Sequence, residues 1–137
     1  MAQCVADQFV LVVVEDSGIQ QGLAREMRKC GCRTDQVQSV EAAISEISAH
    51  RYDTIFCDLA FSGELQGTDL LTITKNRYPD TDIVFVSNAM HFENRTRLIV
   101  QGAKFCLQLP IYEDTCHSVL KMLAENTEQQ ATLSPTQ

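Results

Sequence analysis

The strongest constraint on the fold is an alternation of two periodicities along the chain. Short runs of β-branched and apolar residues occur at FVLVVV (9–14), DTIFCD (53–58), DIVFVS (82–87) and KFCLQL (104–109), with a weaker fifth run at CRTDQVQ (32–38). Runs of this length and composition read as strands. Helical spacings lie between and after them. Ile19, Leu23 and Met27 recur at a regular step. Val40, Ala43, Ile44 and Ile47, and again Cys116, Val119, Leu120 and Leu123, follow the i, i+3, i+4, i+7 rule of an amphipathic helix. Leu70, Leu71, Thr74 and Tyr78, and Phe92, Thr96 and Ile99, give weaker versions of the same pattern. Ser39 is a helix entry, and Gly31 and Gly102 are helix exits. Strands alternating with helices predict an α/β domain, a parallel sheet with helices on both faces. Such strands are buried on both sides, so FVLVVV and IVFVS run apolar without a break.

With 137 residues the chain has the length of one domain. No run approaches the ~18 apolar residues of a membrane helix. The N-terminal MAQCVADQ lacks the basic-then-apolar layout of a secretory signal, so a cytoplasmic location is expected, without a membrane partner. A net charge of −7 and the lack of a Lys/Arg cluster argue against direct contact with nucleic acid. The segment ENTEQQATLSPTQ (125–137) is polar and loses periodicity. The expected organisation is therefore one domain over 1–126 and a polar tail or linker start over 127–137.

Placed on the sheet, the polar residues gather at one edge. Glu15 and Asp16 follow the first strand, Asp58 ends the third and Ser87 ends the fourth. In an open parallel sheet, ligands bind outside the carboxyl ends of the strands. With the flavodoxin-like order 2-1-3-4-5, Glu15, Asp16 and Asp58 converge there. Crowded carboxylates raise one another's pKa or require a cation, and an all-oxygen set suits Mg²⁺. A plainer role is also open to Glu15 and Asp16, which can cap the helix that begins near Ser17.

VVVEDS, FCDLAF, VFVSNA and GAKFCLQLPI occur in the order and approximate spacing of the receiver domain of two-component response regulators, and over residues 8 to 125 the chain resembles that family, including its chemotaxis-regulator-like members. The resemblance implies a (βα)5 signalling module that takes a phosphoryl group from a histidine kinase or phosphotransfer protein and is not a turnover enzyme. Asp58 would be the phosphoacceptor. Glu15, Asp16, Asp58 and the Ala60 carbonyl would hold Mg²⁺, and Ser87 would hydrogen-bond the phosphoryl group. The fourth helix, from about His91 to Gln101, with the fifth strand and fifth helix would form the switched partner face, which in many receivers makes homodimers.

Several residues depart from that pattern. Leu109 stands where the family places a lysine before a proline, and Lys104 is ~16 Å back along the strand at ~3.3 Å per residue. Cys106 replaces the aromatic switch residue, with Phe105 pointing to the opposite face. Asn88 stands where a very small residue is usual, and the loop FSGELQG lacks the usual proline. A second reading is therefore a pseudo-receiver that binds its partner without phosphorylation. A flavodoxin-like flavin binder would need a phosphate-cradling loop after the first strand, where VVVEDSGIQ supplies acids. Cys57 and Cys106 read as core residues and Cys30 and Cys32 as solvent-reachable thiols. His50, His91 and His117 read as surface residues, Asp53 as belonging to the far edge of the sheet, and Glu64 as a loop acid near the site.

Overall fold

A computed structural model describes residues 8–133, with the side chains of residues 113 and 126–133 outside that description. Five strands alternate with five helices: β1 Phe9–Val13, α1 Ser17–Lys29, β2 Arg33–Val37, α2 Val40–Ala49, β3 Thr54–Asp58, α3 Gly67–Arg77, β4 Asp82–Ser87, α4 Phe92–Val100, β5 Phe105–Gln108 and α5 Glu113–Leu133. The strands form one parallel sheet in the order β2-β1-β3-β4-β5. The flavodoxin-like architecture expected from the sequence is therefore present.

Each face of the sheet has its own core because successive strand residues point to opposite sides. Val10, Val12, Phe56, Val84 and Val86 pack against Leu23, Ala24 and Met27 of α1 and Cys116, Val119, Leu120 and Leu123 of α5. Leu11, Val13, Ile55, Cys57, Ile83 and Phe85 pack against Val40, Ala43 and Ile47 of α2, Leu70 and Leu71 of α3 and Leu98 of α4. Full burial of an aliphatic or aromatic side chain contributes roughly 1.5–3 kcal/mol, so these two layers fix the sheet.

Local signals set the helix ends. Asp16 Oδ1 accepts a hydrogen bond from the Ile19 N–H at 2.9 Å, and Ser39 Oγ accepts one from the Ala42 N–H at 3.1 Å. Gly31 and Gly102 leave α1 and α4 with φ of 89° and 116°, which an L side chain rarely adopts.

Two expectations are corrected. Phe92 and Ile99 do not face the core: they are 79% and 44% exposed, Val100 is 80% exposed, and Leu98 is the buried residue of α4. Cys30 and Cys32 are not solvent-reachable but buried in the α1/α5 core, where β2 begins beneath the end of α1. α5 runs on through Leu133, past residue 125 where the sequence loses its apolar spacing. Ala, Glu and Gln sustain a helix by propensity even where apolar spacing is lost. Residues 134–137 of the expected tail lie outside the described residues.

Candidate functional site

Strand register carries the polar residues to one edge. Val13 pairs with Cys57, Asp58 with Val86 and Ser87 with Gln108, so the ends of β1, β3, β4 and β5 lie side by side. Asp58, at the end of β3, is half-buried, and its Oδ1 accepts a hydrogen bond from the Leu59 N–H at 2.7 Å. Burial, foremost, holds its pKa above the ordinary 3.8. Main-chain N–H groups of Leu59 and Ala60 work against that shift, while the negative charges of Glu15 and Asp16 add to it.

Glu15 and Asp16 are exposed at the edge, and each already has partners within the protein. Glu15 Oε1 accepts from the Ser62 N–H at 3.0 Å, and the Ser62 hydroxyl donates to Glu15 Oε2 in a short hydrogen bond. Asp16 caps α1, as the plainer reading allowed. Among the described residues, no three His, Cys, Asp or Glu side chains close on a single point as a finished metal site. These contacts explain why: Ser62 draws one carboxylate toward the β3–α3 loop and the α1 N-terminus draws the other. The donor chemistry still fits a hard cation, since the set is all oxygen and Glu15 and Asp16 are near enough to raise the pKa of Asp58. Ala60 is exposed two positions beyond Asp58.

The β3–α3 loop is held by Gln66. Its Oε1 accepts from the Phe61 N–H at 2.8 Å, and its Nε2 donates to the carbonyls of Phe61 at 2.9 Å and Gly63 at 3.0 Å. Gly67, which opens α3, donates its N–H to the Leu59 carbonyl at 3.2 Å. A Cβ on Gly67 would run into the Asp58 carbonyl oxygen and lie 2.9 Å from Phe85 Cε1. Gly67→Ala is therefore expected to destabilise the protein by about 1–3 kcal/mol through overpacking beneath the acid. A lowered urea midpoint at unchanged slope checks this.

Ser87 is half-buried at the end of β4, and its Oγ accepts a hydrogen bond from the Ala89 N–H at 3.1 Å. The loop that follows is clamped by Gln108: Oε1 accepts from the Met90 N–H at 2.9 Å, and Nε2 donates to the Leu109 carbonyl at 2.9 Å and, at short range, to the Asn88 carbonyl. Leu109 donates its N–H to the Ser87 carbonyl at 2.8 Å, but its side chain is turned into the α1/α5 core. Lys104 bonds through its main chain to Ile83 and sits by Asp82, toward the amino end of β4. Cys106 is buried on the α4 side and Phe105 packs on the opposite face, as the strand alternation requires.

The other candidates stay apart from this edge. Asp53 Oδ2 accepts from the Phe9 N–H at 2.8 Å, at the amino end of the sheet. His50 lies at the surface edge-on to Phe9 and Tyr52, His91 precedes α4, and His117 lies on α5. Glu64 is exposed on the loop. Ser62, Gln66 and Gln108 were not singled out in the sequence, because a polar residue in a loop or at a strand end carries no periodic signal.

A five-stranded parallel sheet in this order, with a half-buried acid at the centre of its carboxyl edge, defines the receiver class of α/β fold. The family described as response regulator receiver domain matches residues 10–121, and the protein belongs to it. It is 27% identical over 106 residues to the nitrogen assimilation regulatory protein NtrX of Azorhizobium caulinodans, covering 77% of this chain and 23% of that one. It is 26% identical over 113 residues to the transcription factor SKN7 of Saccharomyces cerevisiae, covering 82% of this chain and 18% of that one. The chain thus spans under a quarter of the length of these curated relatives. Among solved structures, NtrX from Brucella abortus in complex with ATP superposes with a TM-score of 0.87 at 23% identity, covering 98% of this chain and 29% of that one. The chemotaxis protein CheY4 of Vibrio cholerae superposes at 0.78 with 19% identity, covering 86% and 99%. Family membership makes this a signalling domain of two-component systems and implies a histidine kinase or phosphotransfer partner. Among the described residues no helix is long and apolar enough to cross a membrane.

Proposed function

We propose that the chain is a phosphorylatable receiver in which Asp58 accepts a phosphoryl group from the phosphohistidine of a kinase or phosphotransfer protein. The observation that carries this reading is the placement of Asp58 between two other carboxylates and Ser87 on one sheet edge, with its own pKa raised. An Asp58 carboxylate oxygen forms the new P–O bond as the donor's P–N bond breaks, and the departing imidazole keeps the bond's electron pair and takes up a proton. Bound Mg²⁺ would supply positive charge that offsets the repulsion between the carboxylate and the phosphoryl oxygens. Glu15, Asp16, Asp58 and the Ala60 carbonyl would hold it, with Glu15 turning from Ser62. Ser87 Oγ would donate a hydrogen bond to a phosphoryl oxygen and draw the Asn88–Met90 loop inward.

The proposed output surface is α4, β5 and α5. Phe92, Val100 and Tyr112 are 79%, 80% and 71% exposed on or beside it, and Ile99 and Met122 are 44% and 43% exposed. Scattered apolar residues are ordinary on a surface, but this concentration on the switched face suits a protein partner or a second copy.

The pseudo-receiver reading has its own support: Leu109 leaves no cation at the phosphoryl position, and Glu15 and Asp16 are engaged within the protein. Intact mass after incubation with Mg²⁺ and acetyl phosphate separates the two readings. Gain of one phosphoryl group, lost in EDTA, is expected. No gain with small donors or with candidate kinases would leave the pseudo-receiver.

A further inference from the structure

The carboxylates at the carboxyl edge of the sheet differ in how freely each can turn. Asp58 ends β3, and its Oδ1 is held by the Leu59 N–H at 2.7 Å. Asp16 caps α1 through the Ile19 N–H at 2.9 Å, so turning it away leaves a helix N–H without its partner. Glu15 has a longer side chain and no part in that cap. Gln38 Nε2 fixes its main chain by donating to the Glu15 carbonyl at 3.1 Å, which leaves the side chain as the adjustable part.

What holds that side chain is Ser62. The Ser62 N–H donates to Glu15 Oε1 at 3.0 Å and the Ser62 hydroxyl donates to Oε2, so one residue engages both carboxylate oxygens. Turning either oxygen toward Asp58 therefore breaks a hydrogen bond. Ser62 cannot readily follow Glu15, because Gln66 pins the loop on both sides of it. Gln66 Oε1 accepts from the Phe61 N–H at 2.8 Å, and its Nε2 donates to the Gly63 carbonyl at 3.0 Å. The acids in this arrangement do not close on a single point.

We infer that Ser62 is a positioning residue that sets the Mg²⁺ affinity of the site by holding Glu15 on the β3–α3 loop. The inference rests on the metal-dependent phosphoacceptor reading and adds the residue that limits it. Glu15 has two arrangements: bonded to Ser62, or turned to join Asp16, Asp58 and the Ala60 carbonyl. Where only the second is competent to bind, the apparent dissociation constant is the intrinsic one divided by the fraction of chains in which Glu15 has left Ser62. Hydrogen bonds to an ionised carboxylate are the stronger kind. Glu15 and Ser62 are both exposed, however, so water replaces part of what is lost when they separate.

The test is a Mg²⁺ titration of the whole chain without a phosphodonor, followed by calorimetry and by ¹⁵N amide shifts at residues 15, 16 and 58–62. Ser62→Ala loses the hydroxyl, keeps the N–H, and is expected to bind Mg²⁺ about threefold to tenfold more tightly than the wild type. Glu15→Ala removes the side chain that Ser62 holds, and in that background Ser62→Ala is expected to leave the affinity unchanged. Both positions are exposed, so the variants are expected to fold, and their NMR spectra verify this. Unchanged or weaker Mg²⁺ binding by folded Ser62→Ala, or the same gain in the absence of Glu15, overturns the inference and leaves the metal reading standing. Failure of both the wild type and Ser62→Ala to bind Mg²⁺ overturns the metal reading and the inference together.

Discussion

Asp58→Asn is expected to gain no phosphoryl mass under conditions where the wild-type chain gains one group, and to be the more stable protein at neutral pH in EDTA. The first effect follows from chemistry: a carboxamide lacks the anionic oxygen that attacks phosphorus. The second follows from the environment of the acid. Asp58 is half-buried beside Glu15 and Asp16, and its pKa stands above 3.8, with desolvation the main cause. A carboxyl group whose pKa is raised by folding is held more favourably in its protonated form. Its contribution is therefore fully present below 3.8 and is lost as pH rises from there through the folded-state pKa. Asn carries no charge at any pH and escapes that penalty. The melting temperature of Asp58→Asn should exceed that of wild type at pH 7, with the gap closing as both are acidified. Adding Mg²⁺ should stabilise the wild type more than the variant, because a ligand stabilises the state that binds it. Equal melting temperatures across the whole pH range would show that the acid is not held in a crowded, desolvated site.

Most of this fold is legible in the sequence, because both of its periodicities come from burial. β3 and β4 are buried on both faces and their apolar runs have no gaps, so they stand out and end on Asp58 and Ser87. β2 is an edge strand with little buried, and its sequence RTDQV is correspondingly faint. Ser39, Gly31 and Gly102 carry their capping chemistry in the residue itself. α4 misleads for a physical reason: Phe92, Ile99 and Val100 are apolar but exposed, so its hydrophobic spacing reports a surface instead of a core. At the site, the acids are legible as strand-end residues, but their partners are not. Ser62 on Glu15 and Gln108 on the Asn88–Met90 loop join segments distant in sequence, and only the assembled sheet brings them together. The same holds for Cys30 and Cys32, which α5 covers from the far end of the chain.

Leu109→Lys is expected to accelerate phosphorylation from a small donor by about tenfold to a hundredfold, the equivalent of one charge-assisted hydrogen bond of roughly 1.5–3 kcal/mol. Leu109 is anchored by its N–H to the Ser87 carbonyl, so its main chain is already beside the residue proposed to meet the phosphoryl group. Its side chain now fills the α1/α5 core, at 7% exposure. A lysine stem can run along the same apolar surface and bring its ammonium out at the rim. The lost burial costs about 1–2 kcal/mol, which should appear as a lower urea midpoint. A cation at the rim also favours the ionised carboxylate and offsets the repulsion from Glu15 and Asp16, so the pKa of Asp58 should fall as the rate rises. Both effects can be followed in one protein, the rate by intact mass over time and the carboxyl titration by NMR. A folded Leu109→Lys chain with a lowered Asp58 pKa but no faster phosphorylation would locate the deficit elsewhere. The first place to look would then be the Ser62 contacts that hold Glu15 toward the β3–α3 loop.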